Sequence, residues 1–210
     1  GAPANVVCAL RKLEVPAAFI GCLGDDEYGR EFIRLFQQLN INIDFLQIAK
    51  QASTRIVKVM RDESGDRSFS GFEVTKSSSF ADEMLDKLLL NTNIKNLKKL
   101  FLNTKYIVTG TNLLAFSQSS DALYFILDFA KKFKIKIIID VNWREIFWEN
   151  SNIDKDAKLK KVKKFLHHAD ILKLANEEAD LFFNTSDPSE ISKVLIKQPD
   201  VIITNGAKPI

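Results

Sequence analysis

Apolar positions in this chain fall into short unbroken runs that alternate with longer stretches where they recur every three or four residues. After Pro16 the run AAFIGCL, closed by Gly24, suits a buried strand, and Asp25-Asp26 then caps an amphipathic helix through EFIRLFQQL. The alternation resumes downstream. KYIVTG reads as strand, ALYFILDFAKKF as helix, IKIIIDV as strand, AKLKKVKKFL as helix, DILKLA as strand, EEADLFF as helix and VIITNG as strand. Five buried strands separated by helices predict an α/β fold with a parallel sheet covered on both faces. One segment departs from this rhythm. In TRIVKVMRDESGDRSFSGFE the apolar residues alternate on either side of Glu63-Ser64-Gly65-Asp66, which predicts a β-hairpin. KSSSFADE reads as a loop entering a helix, with Ser79 as its cap, and no linker or repeat divides the chain.

In parallel sheets of this kind ligands bind beyond the carboxyl ends of the strands. Here those ends read Gly24-Asp25-Asp26, Gly110-Thr111-Asn112, Asp140-Val141-Asn142-Trp143-Arg144, Asn176-Glu177-Glu178 and Thr204-Asn205-Gly206. Each set alone is also what a turn or helix cap requires. Five on one edge predict a site.

Composition narrows the ligand. Thirty basic residues against twenty-seven acidic ones give a net charge of +3, too mild and too evenly spread for nucleic acid, and leave a small anionic ligand open. No apolar run reaches the length of a membrane span and no signal pattern opens the chain, so no membrane partner and a cytoplasmic location are expected. Cys8 and Cys22 lie apart, outside any CxxC, and read as reduced core residues. His167 and His168 end a lysine-rich helix, where a cation suits the carboxyl-terminal dipole. Lys158, Lys160, Lys161, Lys163 and Lys164 interleave with Leu159, Val162 and Leu166 at helical spacing and read as a solvated face. HExxH, GxSxG and GxxxxGK[ST] are absent, as is any GxGxxG turn after a strand, which removes support for zinc or serine hydrolases, classical NTPases and dinucleotide-binding oxidoreductases.

GAPANVVCALRKLEVPAAFIGCLGDDEYGREF resembles the first signature region of the PfkB (ribokinase-like) carbohydrate kinases, and SGDRSFSGF, FADE, DVNWREIFW and LKLANEEA are similar to fructokinase segments. The likeness runs over essentially the whole chain. It implies a three-layer ribokinase-like domain over 1–210, incomplete at both ends, with the hairpin of about 54–73 belonging to a small β lid. It also implies ATP-dependent, Mg2+-assisted phosphorylation of a sugar hydroxyl, fructose to fructose 6-phosphate being favoured, with a homodimer through the lid as an option.

By the same resemblance Gly1, Ala2, Pro3, Ala4 and Asn5 match a sugar-binding turn, with a helix cap as the plainer reading of Asn5. Arg55 near the lid, Gly110 and Arg144 join them on the sugar and phosphate side, while Trp143, Phe147 and Trp148 pack as core or wall. Glu178 matches the acidic residue of the family's N-x-x-E motif and would act on the metal through water. Thr204, Asn205, Gly206, Ala207, Lys208 and Pro209 match the nucleotide-side T-x-G-x-x-G turn. Three positions depart from the pattern: Ala175 where the family has asparagine, Leu113 at an often acidic position near the sugar, and Pro209 in place of the last glycine. The family's catalytic aspartate, in a G-A-G-D segment, is expected beyond Ile210, and the first strand before Gly1, so the 210 residues alone are expected to be inactive. A catalytically dead relative acting in binding or regulation is the alternative that the three departures keep open.

Overall fold

The computed structural model describes residues 2–61, 67–73, 79–148 and 154–206. Its chain divides into two compact units, one over Pro3–Leu89 and one over Leu90–Ile210.

In the first unit, helix α1 (Ala2–Lys12) leads to strand β1 (Ala18–Gly24), helix α2 (Glu27–Gln38) and strand β2 (Asn42–Ala49). β1 and β2 pair in parallel, with Ile20 opposite Phe45 and Gly24 opposite Ala49, so β1–α2–β2 is a crossover unit. Helix and strands meet in a core of Ala4, Val7, Phe36 and Ile41. Phe36 is fully buried, with the Phe19 ring at 5.0 Å and Phe32 edge-on at 5.8 Å. Burial of that ring contributes about 2–3 kcal/mol. β2 was not among the expected strands. Its alternation breaks where Leu46 follows Phe45, and its polar Gln47 is spent on a reciprocal pair with the Asp86 backbone, at 2.8 and 2.9 Å.

Strands β3 (Val57–Arg61) and β4 (Arg67–Phe72) form the expected antiparallel hairpin, with an irregular register between Lys58 and Val59. The expected turn, Glu63 to Asp66, lies outside the described residues. Ser79 is not a helix cap. The 3-10 turn Ala81–Met84 starts from Phe80, and Ser79 instead accepts the Ser53 N–H through its carbonyl at 3.2 Å.

After helix α3 (Lys87–Thr92), the second unit runs α4 (Ile94–Leu102), β5 (Tyr106–Thr109), α5 (Ser117–Lys132), β6 (Lys136–Asp140), α6 (Lys155–Leu166), β7 (Ile171–Ala175), α7 (Asn176–Phe183), α8 (Pro188–Val194) and β8 (Asp200–Thr204). Its strands are parallel in the order β5-β6-β7-β8. Ile137 and Ile139 on β6 and Leu172 and Leu174 on β7 are buried, as are Phe101, Leu127, Phe165 and Phe182 on the helices. Four of the five expected strands are these. Short 3-10 turns, Asn112–Ala115 and Glu145–Trp148, follow β5 and β6.

Two charge readings change here. Lys161 does not point to solvent: its Nζ donates to the Leu114 carbonyl at 2.6 Å, and burial pushes its pKa down, with Asp121 opposing. His168 does not serve as a helix-end cation either. Its neighbour His167 caps α6, and the His167 Nδ1 accepts the Ile196 N–H at 3.2 Å. His168 packs against Tyr124 and Phe165, and burial first, then Lys197, lowers its pKa below the ordinary 6.5.

A histidine with a depressed folded pKa binds its proton more readily in the unfolded chain, so stability rises with pH across the interval between the two values. The contribution is complete above about 6.5 and is lost as pH falls through the folded pKa. Thermal melts from pH 8 down to pH 5 should show a midpoint that declines below about 6.5, and His168→Gln should flatten that decline. A midpoint unchanged over the range would count against the assignment.

Candidate active site

At the carboxyl edge of the second unit's sheet, the exits of neighbouring strands are tied to one another by backbone groups. Gly110 ends β5 beside β6, where a Cβ would sit 3.2 Å from the Asp140 carbonyl. Thr111 is fully buried and its hydroxyl donates to the Val141 carbonyl at 2.6 Å. Val141 in turn donates its N–H to the Lys173 carbonyl on β7 at 3.0 Å. Asn142 takes a left-handed conformation, φ 41°, a region asparagine tolerates better than most residues, and the chain there turns out of the strand.

Glu178 organises this edge. Its Oε1 accepts the Trp143 N–H at 2.6 Å, and its Oε2 accepts the Ala175 N–H at 2.8 Å, so one carboxylate joins the exit of β6 to the start of α7. The side chain is buried, yet each oxygen spends only one lone pair on these bonds. Trp143 stacks on Trp148 at 5.3 Å and meets Phe182 edge-on at 5.6 Å, which makes the aromatic residues a wall. Lys173 Nζ lies 3.0 Å from Asp140 Oδ1, an ion contact without the alignment of a hydrogen bond. Arg144 is half-buried and its Nη1 donates to the Trp143 carbonyl at 2.7 Å. Thr204 stands opposite Ala175 at the end of β8, its hydroxyl donating to the Leu174 carbonyl at 3.3 Å. Asn205 and Gly206 follow, exposed, Gly206 with φ 54°. Gly110, Arg144, Glu178 and Thr204–Gly206 thus share one edge of one sheet.

Ala175 leaves half of a capping arrangement empty. The Glu178 side chain reaches back to the Ala175 N–H, but alanine has no oxygen to accept a bond from the first turn of α7. Ala175→Asn should supply it, stabilising the protein by about 1 kcal/mol and raising the melting midpoint by about 2–4 °C. A lower midpoint would show that the site cannot admit the amide.

In the first unit, Ala2, Pro3, Ala4 and Asn5 form the first turn of α1, not a free turn, and Asn5 lies inside the helix instead of capping it. Ala4 is buried and Asn5 exposed. The leading N–H groups of such a helix lack acceptors within it. Arg55 has a side chain only 7% exposed, and its guanidinium is held by Asp82 at 2.9 Å and Glu83 at 2.6 Å. It lies over the rings of Phe72 and Phe80, 4.5 and 4.0 Å from their centroids. Gly1, Ala207, Lys208 and Pro209 lie outside the described residues. Leu113 sits in the 3-10 turn after β5, where its carbonyl accepts the Ser119 hydroxyl at 2.9 Å.

The G-D-D-x-x-G segment has a clear local role. Asp26 caps α2 through the Gly29 N–H at 2.8 Å, as expected from the sequence. The same carboxylate accepts the Thr54 N–H at 2.6 Å, which the sequence did not signal because the partner is 28 residues away. Lys173 and Lys161 were likewise missed as members of the edge. A single lysine in an apolar strand, or one among six on a helix, carries no mark of the partner it meets.

The model of the pfkB family carbohydrate kinases matches residues 1–210, and the chain belongs to that family. The α/β fold is ribokinase-like. The chain is 28% identical over 212 residues to the Arabidopsis thaliana protein named "Probable fructokinase-5", covering 99% of this chain and 61% of that one. To the fructokinase of Vibrio alginolyticus it is 28% identical over 216 residues, covering 100% and 64%. Among solved structures, the fructokinase of Xylella fastidiosa with bound ATP aligns at a TM-score of 0.78 and 24% identity, over 100% of this chain and 63% of that chain. The chain thus spans about three fifths of the length of the curated relatives it matches. Among the described residues no helix is long and apolar enough to cross a membrane, and no group of three or more His, Cys, Asp or Glu side chains is arranged to hold a metal ion.

Proposed function

We propose that the protein carrying this chain transfers the terminal phosphoryl group of ATP to a sugar hydroxyl, with fructose as the favoured acceptor and fructose 6-phosphate as product. The observation that carries this reading is Glu178. It is a buried carboxylate that fixes two strand exits through backbone N–H groups, one bond to each oxygen. Magnesium favours oxygen ligands and keeps several of its waters, so a carboxylate acting on it through water suits this arrangement and would leave the ion free to neutralise phosphate charge. The fructokinase relatives and the ATP-bound Xylella fastidiosa neighbour support the choice of substrates.

Gly1 to Asn5, Arg55 and Gly110 are the proposed sugar contacts, Arg144 the donor to phosphate, and Thr204 to Pro209 the nucleotide turn. Arg55 would serve indirectly, since its guanidinium is committed to Asp82 and Glu83. The base is assigned outside the 210 residues. Phosphoryl transfer depends on positioning and electrostatic stabilisation, so the chain by itself should show no turnover.

A coupled assay of ADP release with fructose tests both statements. The 210-residue chain should match a no-protein control, and the longer protein should turn over. Turnover by the short chain would refute the assignment of the base. A longer protein that binds fructose and ATP without releasing ADP would favour a catalytically dead binding protein, a reading supported by the empty cap position at Ala175.

A further inference from the structure

The hairpin β3–β4 joins the rest of the first unit through an incoming leg, residues 52–56, and an outgoing leg of which Glu73 and residues 79–81 are described. The legs are tied to each other: Ala81 N–H donates to the Ser53 carbonyl at 2.9 Å and Glu73 N–H to the Ile56 carbonyl at 3.0 Å. Arg55 adds its ion pairs to Asp82 and Glu83 just past the outgoing leg. That leg is anchored separately, because Ala81 and Leu85 are buried and Asp86 pairs with Gln47 on β2.

Among the described residues, Thr54 ties the incoming leg to the end of β1. Its N–H donates to Asp26 Oδ2 at 2.6 Å, and its buried hydroxyl accepts the Gly24 N–H at 3.0 Å. Asp26 Oδ1 meanwhile takes the Gly29 N–H at 2.8 Å. Two backbone donors therefore face the two oxygens of one side chain. Only a carboxylate presents an acceptor to each, since an amide would turn its NH2 against one N–H. Desolvation raises the Asp26 pKa, but the bonds from Thr54 and Gly29 outweigh it and hold the carboxyl below its ordinary value, so the fold selects the charged form.

We propose that Asp26 is a positioning residue for the sugar: its carboxylate fixes the leg by which the hairpin leaves the sheet and so sets sugar affinity, without touching substrate. The hairpin's part in sugar binding rests on the function proposed above. The fixing of the leg does not, and the two are tested apart.

Hydrogen–deuterium exchange on the 210-residue chain reads the first. Asp26→Asn should speed exchange of peptides spanning 52–61 by roughly tenfold or more, leaving α1 and the second unit at wild-type rates. Unchanged exchange at 52–61, or an equal loss across the whole first unit, would overturn the proposal. Thr54→Val keeps the N–H tie and deletes the acceptor for Gly24, so it should give a weaker version of the same local pattern. It decides the matter if Asp26→Asn fails to fold, and no local change in it would then sink the idea. Thr54→Ser keeps both ties and should behave as wild type.

Kinetics of the longer protein read the second. Asp26→Asn should raise KM for fructose roughly tenfold while kcat and KM for ATP change little. A fall confined to kcat, or an equal rise in both KM values, would refute a role in sugar positioning. A wild-type enzyme with no turnover would instead sink the kinase reading and leave the exchange result standing.

Discussion

Gly29→Ala is expected to destabilise the first unit by about 3 kcal/mol or more, although glycine to alanine inside a helix ordinarily stabilises by about 1 kcal/mol. The sign reverses because of what surrounds the position. A Cβ on Gly29 would overlap the Gly24 carbonyl oxygen and stand 3.1 Å from Thr54 Oγ1 and 3.3 Å from Asp26 Oδ1. None of these can retreat cheaply. Gly24 ends β1 and donates its own N–H to Thr54, and Asp26 is fixed between two backbone donors. Gly24 is as confined, since a Cβ there would lie 2.5 Å from the Thr54 nitrogen and 2.8 Å from the Ala52 carbonyl. Urea unfolding followed by exchange protection in residues 18–61 measures the loss. A Gly29→Ala protein as stable as wild type would show that α2 can shift away from the strand end, and would undo this account of the G-D-D-x-x-G spacing.

That spacing illustrates what a sequence displays and what it hides. Gly24, Asp26 and Gly29 stand out as a strand end, a cap and a small residue in a first helical turn, because each obeys a local rule. Thr54 obeys none. It becomes the partner of Gly24 and Asp26, and the neighbour of Gly29, only when β2 returns alongside β1, and nothing in TRIVKV announces it. The second unit behaves the same way. Its four strands are legible because each carries a short, nearly unbroken apolar run, whereas β2 carries Asp44 and Gln47 within the strand. The clustering of Gly110, Arg144, Glu178 and Thr204 on one edge follows from strand polarity, so it too is readable. The direction of a side chain is not: Lys161 bonds to Leu114, Arg55 lies against the rings of Phe72 and Phe80, and His168 packs against Tyr124 and Phe165. In each case a long or amphipathic side chain can serve solvent or core equally well, and the fold chooses.

Glu178→Ala should produce the largest loss in the second unit. Removing the carboxylate leaves the N–H groups of Trp143 and Ala175 without the acceptor each now has, at 2.6 and 2.8 Å, in a place where the glutamate itself is only 8% exposed. An orphaned buried donor costs about 1–3 kcal/mol, so the pair should cost roughly 2–6 kcal/mol and lower the melting midpoint by about 5–15 °C. Glu178→Gln keeps the length and one acceptor, and should lose about half as much. Glu178→Asp is one methylene shorter and cannot span both donors. The three variants separate the structural function of the carboxylate from its chemical one. If Glu178 only joins β6 to α7, then in the longer protein kcat should track stability through Gln, Asp and Ala. If it also acts on magnesium through water, Gln should be nearly as inactive as Ala while remaining the more stable fold, because an amide offers no charge to a metal-bound water. Exchange protection in residues 140–148 gives the structural readout, and kcat at saturating magnesium the chemical one. A Gln variant with wild-type kcat would remove the metal role from Glu178 and leave it as the tie that holds Trp143 in place.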